Sequence, residues 1–184
     1  MPGDLYSFEP VQDAILAAAK AALPGLVMCE PYAGQFGQDG PSRGRMATPG
    51  FFLAALDAPP ATEQPGEGRI AFEVRWAAYC LSRNAGGAAD RGRDAMALAT
   101  QWAVQVQDAQ WGMAPQVEQA AIEGVQNLYS AELDNKGFGL WAVTWRQVIN
   151  LGGSIWAGDD VTPTEVWIGQ DGEAFPDDYD EQDT

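Results

Sequence analysis

Only a few places in this sequence could do chemistry. The segment "YAGQFGQDG", residues 32–40, sets Gly34, Gly37 and Gly40 three apart behind an apolar run, Leu26-Val27-Met28-Cys29. Glycines at such spacing let backbone N–H groups converge on an anion, and a following helix start would add its dipole. A phosphate loop also needs Gly-Lys-Ser/Thr. Here Gly40 leads into Pro41-Ser42-Arg43, no amphipathic helix follows, and the spacing is not that of a dinucleotide fingerprint. Two readings remain, a plain turn region and a contact loop. In the second, Tyr32, Gln35 and Phe36 offer amphipathic surface, and Arg43 and Arg45 add positive charge to an acidic chain.

The carboxylates are weaker candidates. Paired Asp or Glu residues can hydrolyse glycosides, but Asp159-Asp160 and Asp177-Asp178 are sequence neighbours, which on a loop point apart into water. No calcium-loop pattern of the D-x-D-x-D-G kind is present. The chain has no histidine, which removes Ser-His-Asp and Cys-His catalysis and the commonest zinc ligand. Cys29 and Cys80 each sit inside an apolar, strand-like run and read as small buried hydrophobes. One pair of cysteines in a chain this long is no secreted disulfide framework. The reading is therefore of a non-enzyme with no cofactor and no metal.

Seven tryptophans remain. Exposed tryptophan can stack on sugars or anchor a protein interface. Trp76, Trp102, Trp141 and Trp145 occupy core-like positions, where packing is the expectation. Trp156 and Trp167 lie in an irregular C-terminal region and are the better interface candidates. Arg91 and Arg93, at the start of a predicted helix, join them as rare cations.

The charge balance limits partners. Asp and Glu number 26 against 10 Lys and Arg, a formal net charge of −16. Such a surface repels a phosphate backbone, which needs cations to displace its counterions, and disfavours anionic membranes. Partners are expected to be proteins, with no sequence-specific nucleic acid and no membrane. No signal-peptide pattern opens the chain, no apolar run is long enough to span a bilayer, and a cytosolic compartment is expected.

These residues need a scaffold. With 46% hydrophobic residues in 184, the chain can bury a core of its own. The apolar periodicity predicts a helix over 7–23, with Ser7 as cap, Tyr6 and Val11 as a hydrophobic staple, and Val11, Ala14, Ile15, Ala18 and Ala22 as its inner stripe. Pro24-Gly25 ends it. Strands are predicted over 26–31 and 51–56, the latter covered on both faces. The connector over 57–68, with Pro59, Pro60 and Pro65, reads as exposed. A strand over 69–80 should send Ile70, Phe72, Val74 and Trp76 one way and Arg69, Glu73 and Arg75 the other. It should pair with the 51–56 strand as an antiparallel hairpin. A second helix is predicted over 88–110, with Met96, Ala99, Ala103 and Val106 inward. Two last strands, 118–133 and 139–150, flank a hairpin tip at 134–139, "DNKGFG". The fold class expected is α+β, a mostly antiparallel sheet of four to five strands with two helices packed on one face. One domain spans 1–157. Residues 158–184 read as an acidic arm or tail, with seven acidic residues in the last 14 and no basic ones.

This layout resembles the tail terminator proteins of long-tailed bacteriophages, in the branch found in Mu-like phages and prophages. The features that carry the resemblance are the N-terminal helix ending in Pro-Gly, the strand running into "PYAGQF", and the strands "PGFFLAAL" and "RIAFEVRWAAYCLSRN". A Gly-Gly break before a helix, the late strand "GLWAVTWRQVIN" and an acidic end containing "DDYD" complete them. It covers about residues 5–150. The resemblance implies a structural protein that forms a hexameric ring on the finished tail tube, stops its polymerisation and presents a surface for joining the head. Its partners would be itself, the tail tube protein and the head-tail connector or neck proteins. Its place would be the virion tail, assembled in the cytoplasm of a bacterial host. Another neck component, for tail completion or head closure, is the alternative within this class. A carbohydrate-binding or hydrolytic module is the alternative outside it.

Overall fold

The computed structural model describes residues 4–34, 47–66, 68–83, 88–128 and 137–154, with no side-chain description for Ala88, Ala89 and Arg91. Seven elements follow the predicted order: α1 (Glu9–Ala22), β1 (Met28–Pro31), β2 (Gly50–Asp57), β3 (Ile70–Ser82), α2 (Ala88–Val106), β4 (Ala121–Asn127) and β5 (Gly139–Leu151). The strands form one sheet in the order β1-β2-β3-β5-β4. All pairings are antiparallel except β1 with β2. The fold is α+β with a mixed, mostly antiparallel sheet, as expected.

The longest ladder joins β3 to β5 and runs unbroken from Ile70↔Leu151 to Ser82↔Gly139. Alternation along these strands divides the sheet into two faces, because successive side chains point opposite ways. Phe51 and Leu53 of β2, Val74, Trp76, Ala78 and Cys80 of β3, and Val143, Trp145 and Ile149 of β5 belong to one large core cluster. The same cluster includes Val11, Ile15, Leu16 and Ala19 of α1 and Ala99, Trp102 and Val106 of α2. The opposite set of residues contains a smaller cluster, Phe52, Leu81 and Leu140, with Met28, Tyr32, Tyr79, Leu128 and Phe138 packed on it. Phe51 to Leu53 are therefore buried on both faces, as their unbroken apolar run implies. Leu56, past that run, is exposed.

Several local expectations need correction. The residue preceding α1 is Phe8, which makes no side-chain cap, so Ser7 does not cap the helix. Pro10 stands in the first turn, where its missing N–H would have had no partner in any case. Tyr6 is 75% exposed and cannot staple Val11; Leu5, buried, enters the core instead. The inward residues of α1 are Val11, Ile15, Leu16 and Ala19. Leu16 and Ala19 thus displace Ala14, Ala18 and Ala22 from the centre of the stripe, because the larger Leu16 fills more of the core than an alanine can. In α2 the buried line is Ala95, Ala99, Trp102 and Val106, and Met96 is 40% exposed. Ala99 and Val106 face inward as expected, and burial of the Trp102 indole turns the helix by about half a residue's rotation from the expected line. Ile70, expected inward, is 54% exposed at the end of β3. The helix over 88–110 stops at Val106 and the strand over 118–133 starts at Ala121. Residues 129–136, including the first half of the predicted hairpin tip, lie outside the described residues, although β4 and β5 pair antiparallel on either side of it.

The parallel pairing of β1 with β2, Met28↔Gly50 to Pro31↔Leu53, was not expected. A parallel neighbour requires the chain to return to the starting end of the sheet, which needs a crossover of a dozen or more residues. Residues 32–49 separate the two strands, enough chain for such a crossover, and 35–46 of them lie outside the described residues.

Candidate functional site

The sheet surface that carries the smaller apolar cluster has two ends of opposite character. At one end Tyr32, on the segment leaving β1, meets Tyr79 of β3 with ring centroids 5.0 Å apart. Both belong to the layer over Phe52, Leu81 and Leu140. Burial, and then the neighbouring Tyr32, raise the Tyr79 phenol above its usual pKa. Arg83 lies over the Phe138 ring, 5.4 Å from its centroid, within the range of a cation–π contact.

At the other end the same surface is charged. Arg75 of β3 donates to Glu123 of β4 at 2.7 Å, and Arg146 of β5 donates to both Glu123 and Glu73. The cross-strand register explains the meeting: Arg75 stands opposite Arg146, a like-charge pair that the two carboxylates offset. Glu123 reaches both cations because β4 bulges between Ile122 and Gly124, and a bulge re-aims the side chain that it carries. The hydrogen bond from Arg146 is the chief cause that holds the Glu123 carboxyl below its usual pKa, with Arg75 adding to it. The same bond, with that to Glu73, raises Arg146. Two arginines and two glutamates leave this patch neutral in a chain of net charge −16.

The sequence candidates distribute unevenly over this geometry. Tyr32 is half-buried and packs on the smaller cluster, so its ring supports the fold as well as any contact. Arg93 is exposed on α2. Arg91 lies on the same helix, its side chain outside the described residues. Gln35, Phe36, Arg43, Arg45, Trp156 and Trp167 lie outside the described residues, as does the acidic segment from 158. Trp76, Trp102 and Trp145 are fully buried and their indole N–H groups meet no hydrogen-bond acceptor. They pack as expected of core residues and cannot stack on a ligand. Trp141 is half-buried.

Both cysteines are free. Burial pushes the Cys80 thiol up to about 12. It raises Cys29 too, with nearby Lys20 opposing. The Cys29 thiol donates to the Leu16 carbonyl at 3.5 Å. Neither is an activated nucleophile, because the thiolate is the reactive form. Among the described residues no group of three or more His, Cys, Asp or Glu side chains is placed to hold a metal ion. No helix among them is long and apolar enough to cross a membrane.

Sequence reasoning missed one polar device. Gln147, 1% exposed on β5, donates to the carbonyls of Ala109 and Glu118 at 2.8 and 2.7 Å and accepts from Trp111 Nε1 at 2.8 Å. Trp111 stands at φ 54°, a left-handed conformation that is unusual for a bulky residue. Its indole bond and its stacking on Trp102, 5.6 Å between centroids, hold it there. A lone Gln in an alternating strand gave a weak signal: it fills a position where Val143, Trp145 and Ile149 predict an apolar side chain.

No family model matches the chain, and no curated protein matches it significantly.

Proposed function

We propose that the protein is a structural component of a phage tail, a terminator that caps the tail tube, stops its growth and offers the surface to which the head joins. What supports the reading is the chain order of its elements. The helix ending at Pro24-Gly25 precedes a strand that runs into the "PYAGQF" segment. "PGFFLAAL" and "RIAFEVRWAAYCLSRN" contain the neighbouring strands β2 and β3, and "GLWAVTWRQVIN" lies in β5, which pairs with the other side of β3. These are the segments on which the resemblance rests. A scaffold role also fits the chemistry of the described surface. The charged groups of the Glu73, Arg75, Glu123 and Arg146 patch are paired with one another, burial raises the pKa of both thiols, and Trp76, Trp102 and Trp145 are interior.

On this reading the subunits assemble as a hexameric ring and contact the tail tube protein on one side and the neck on the other. Deleting the gene from a phage or prophage that encodes it is expected to give tails of uncontrolled length without joined heads, seen by electron microscopy. Normal tails with heads would sink the proposal. Tails of normal length that lack heads would assign the chain to head joining instead.

A further inference from the structure

We infer that residues 110–115 form a strap that closes over Trp102 and opens while the rest of the molecule stays folded. Both ends of the strap are pinned. Ala109 donates to the Val106 carbonyl at 2.9 Å, and its own carbonyl accepts from the Ala120 N–H at 3.0 Å and from Gln147 Nε2 at 2.8 Å. The buried Gln116 accepts from the Asn150 N–H at 2.8 Å, and Val117 beside it bridges to Ile149 of β5. Between these pins, none of the residues 110–115 is buried. A segment with little buried apolar surface opens locally at a cost well below that of unfolding the whole chain.

The strap is closed in a conformation that its own sequence resists. The Met113 N–H donates to the Gln110 carbonyl at 2.9 Å, and the two residues between them, Trp111 and Gly112, stand at φ 54° and 74°. That is the pattern of a type I′ turn, whose first central position ordinarily holds Asn, Asp or Gly. Trp111 occupies it for what its side chain reaches. The ring lies over Trp102, 5.6 Å between centroids and 13° from parallel, and its N–H donates to Gln147 Oε1 at 2.8 Å. Two more ties join the strap to Val117. Gln110 Nε2 donates to the Val117 carbonyl at 3.1 Å, and the Val117 N–H donates to the Met113 carbonyl at 3.0 Å. These ties, with the partial burial of Trp111 and Met113 on the main cluster, are what hold a strained turn shut.

Opening has a defined consequence. Trp102 is fully buried and its indole N–H meets no acceptor. Phe51 and Trp145 meet that indole edge to face at 5.0 and 6.2 Å from the sheet, while Trp111 covers one of its faces. When the strap lifts, the covered face of Trp102 meets solvent. Trp76 and Trp145, on the central strands β3 and β5, stay interior. The strap thus gives this end of α2 two surfaces, one closed by Trp111 and one that presents the bare face of Trp102.

The test is hydrogen–deuterium exchange of the indole N–H groups, followed by NMR on the full chain, where each tryptophan gives its own signal. Trp111 and Trp102 are expected to exchange about tenfold or more faster than Trp76 and Trp145. Urea below the unfolding transition should speed Trp76 and Trp145 and barely move Trp111 and Trp102, because a local opening exposes little surface. The backbone amides of α2 from Ala99 to Val106 should stay as protected as Trp76. Gly112→Ala acts on the closed turn without touching a contact. A Cβ there meets no atom within 4 Å, so the change works only through the positive φ, which alanine resists and an open strap does not need. It is expected to speed Trp111 and Trp102 about threefold or more. Trp111→Phe keeps a stacking ring, drops the bond to Gln147 and is expected to speed Trp102 by about the same factor. Equal exchange and equal urea dependence at all four tryptophans of the parent would overturn the inference. So would α2 amides that exchange together with Trp102, or a Trp102 that neither substitution moves.

Discussion

The two faces of the sheet are built from the same three central strands by opposite means. The face that shares its cluster with α1 and α2 is filled with large rings: Trp76 and Trp145 lie 6.5 Å apart and nearly parallel, and Trp102 meets Phe51 and Trp145 edge to face. The other face changes character along its length, from the aromatic layer over Phe52 and Leu81 to the balanced Glu73, Arg75, Glu123 and Arg146 patch. The first face obtains its stability from area removed from water, which scales with side-chain size. The charged end of the second obtains little, because exposed ion pairs are worth about 0.2–1 kcal/mol each. The difference teaches where selection for folding ends on this molecule. Side chains on the first face are held in place by packing, while those on the charged end are held by ion pairs with one another.

That contrast can be broken by mutation. Trp145→Ala should cost about 3–5 kcal/mol, the range for removing a large buried ring, read from urea unfolding. A loss under about 1 kcal/mol would mean that the tryptophans are not the core's main support. Gln147→Leu keeps the volume but takes the Gln147 partner from the Glu118 carbonyl and the Trp111 N–H, while the Ala109 carbonyl keeps its bond from the Ala120 N–H. It should cost about 1–3 kcal/mol and release Trp111, seen as a change in near-ultraviolet circular dichroism and tryptophan emission. Stability equal to the parent would show that solvent reaches those groups. Glu123→Gln, on the other face, should cost no more than about 1 kcal/mol, with the smallest change in the set.

The same substitution sharpens the comparison through pH. The Glu123 carboxyl has a lower pKa in the folded chain than in the unfolded one. Its stabilisation is therefore fully present above the unfolded value, about 4.3, and is lost as the pH falls through the folded value. Below pH 4 the parent should lose stability more steeply than the Glu123→Gln protein, and between pH 6 and 8 the two slopes should coincide. Equal slopes in acid would mean that the ion pairs do not persist in solution.

Much of this was legible in the sequence, and the reasons differ by element. Period and punctuation gave all seven elements in order, since Pro24-Gly25 and the 57–68 connector interrupt runs whose spacing is plainly 3.6 or 2. The rotation of the helices was less legible. Alanine-rich stripes in α1 and α2 admit several inward faces, and the choice fell to Leu16 and Trp102, whose bulk must be buried. The neighbours in the sheet were harder still. Nothing local to Met28–Pro31 says that its partner runs parallel, because that depends on how residues 32–49 travel. The candidate contacts were the least accessible. Tyr32 proved half-committed to packing, and the meeting of Glu123 with Arg75 and Arg146 depends on a register and a bulge that no local pattern announces.

The thirteen paired positions between β3 and β5 have a consequence for the birth of the chain. The partners are distant in sequence, Ile70 with Leu151 at one end, and contacts of long range are slow to form because loop closure must come first. A nascent chain presents β3, with Trp76 on it, well before β5 leaves the ribosome. At about 5–20 residues per second, the roughly 80 residues between those ends take about 4–16 s to synthesise. For most of that interval, from Ser82 until Gly139 and its successors appear, the side of β3 that β5 will cover has no partner, and an open strand edge is the kind of template on which chains aggregate. The order of synthesis thus leaves the longest ladder of the mature sheet to be closed last but for the few residues that follow Leu151 in the described chain.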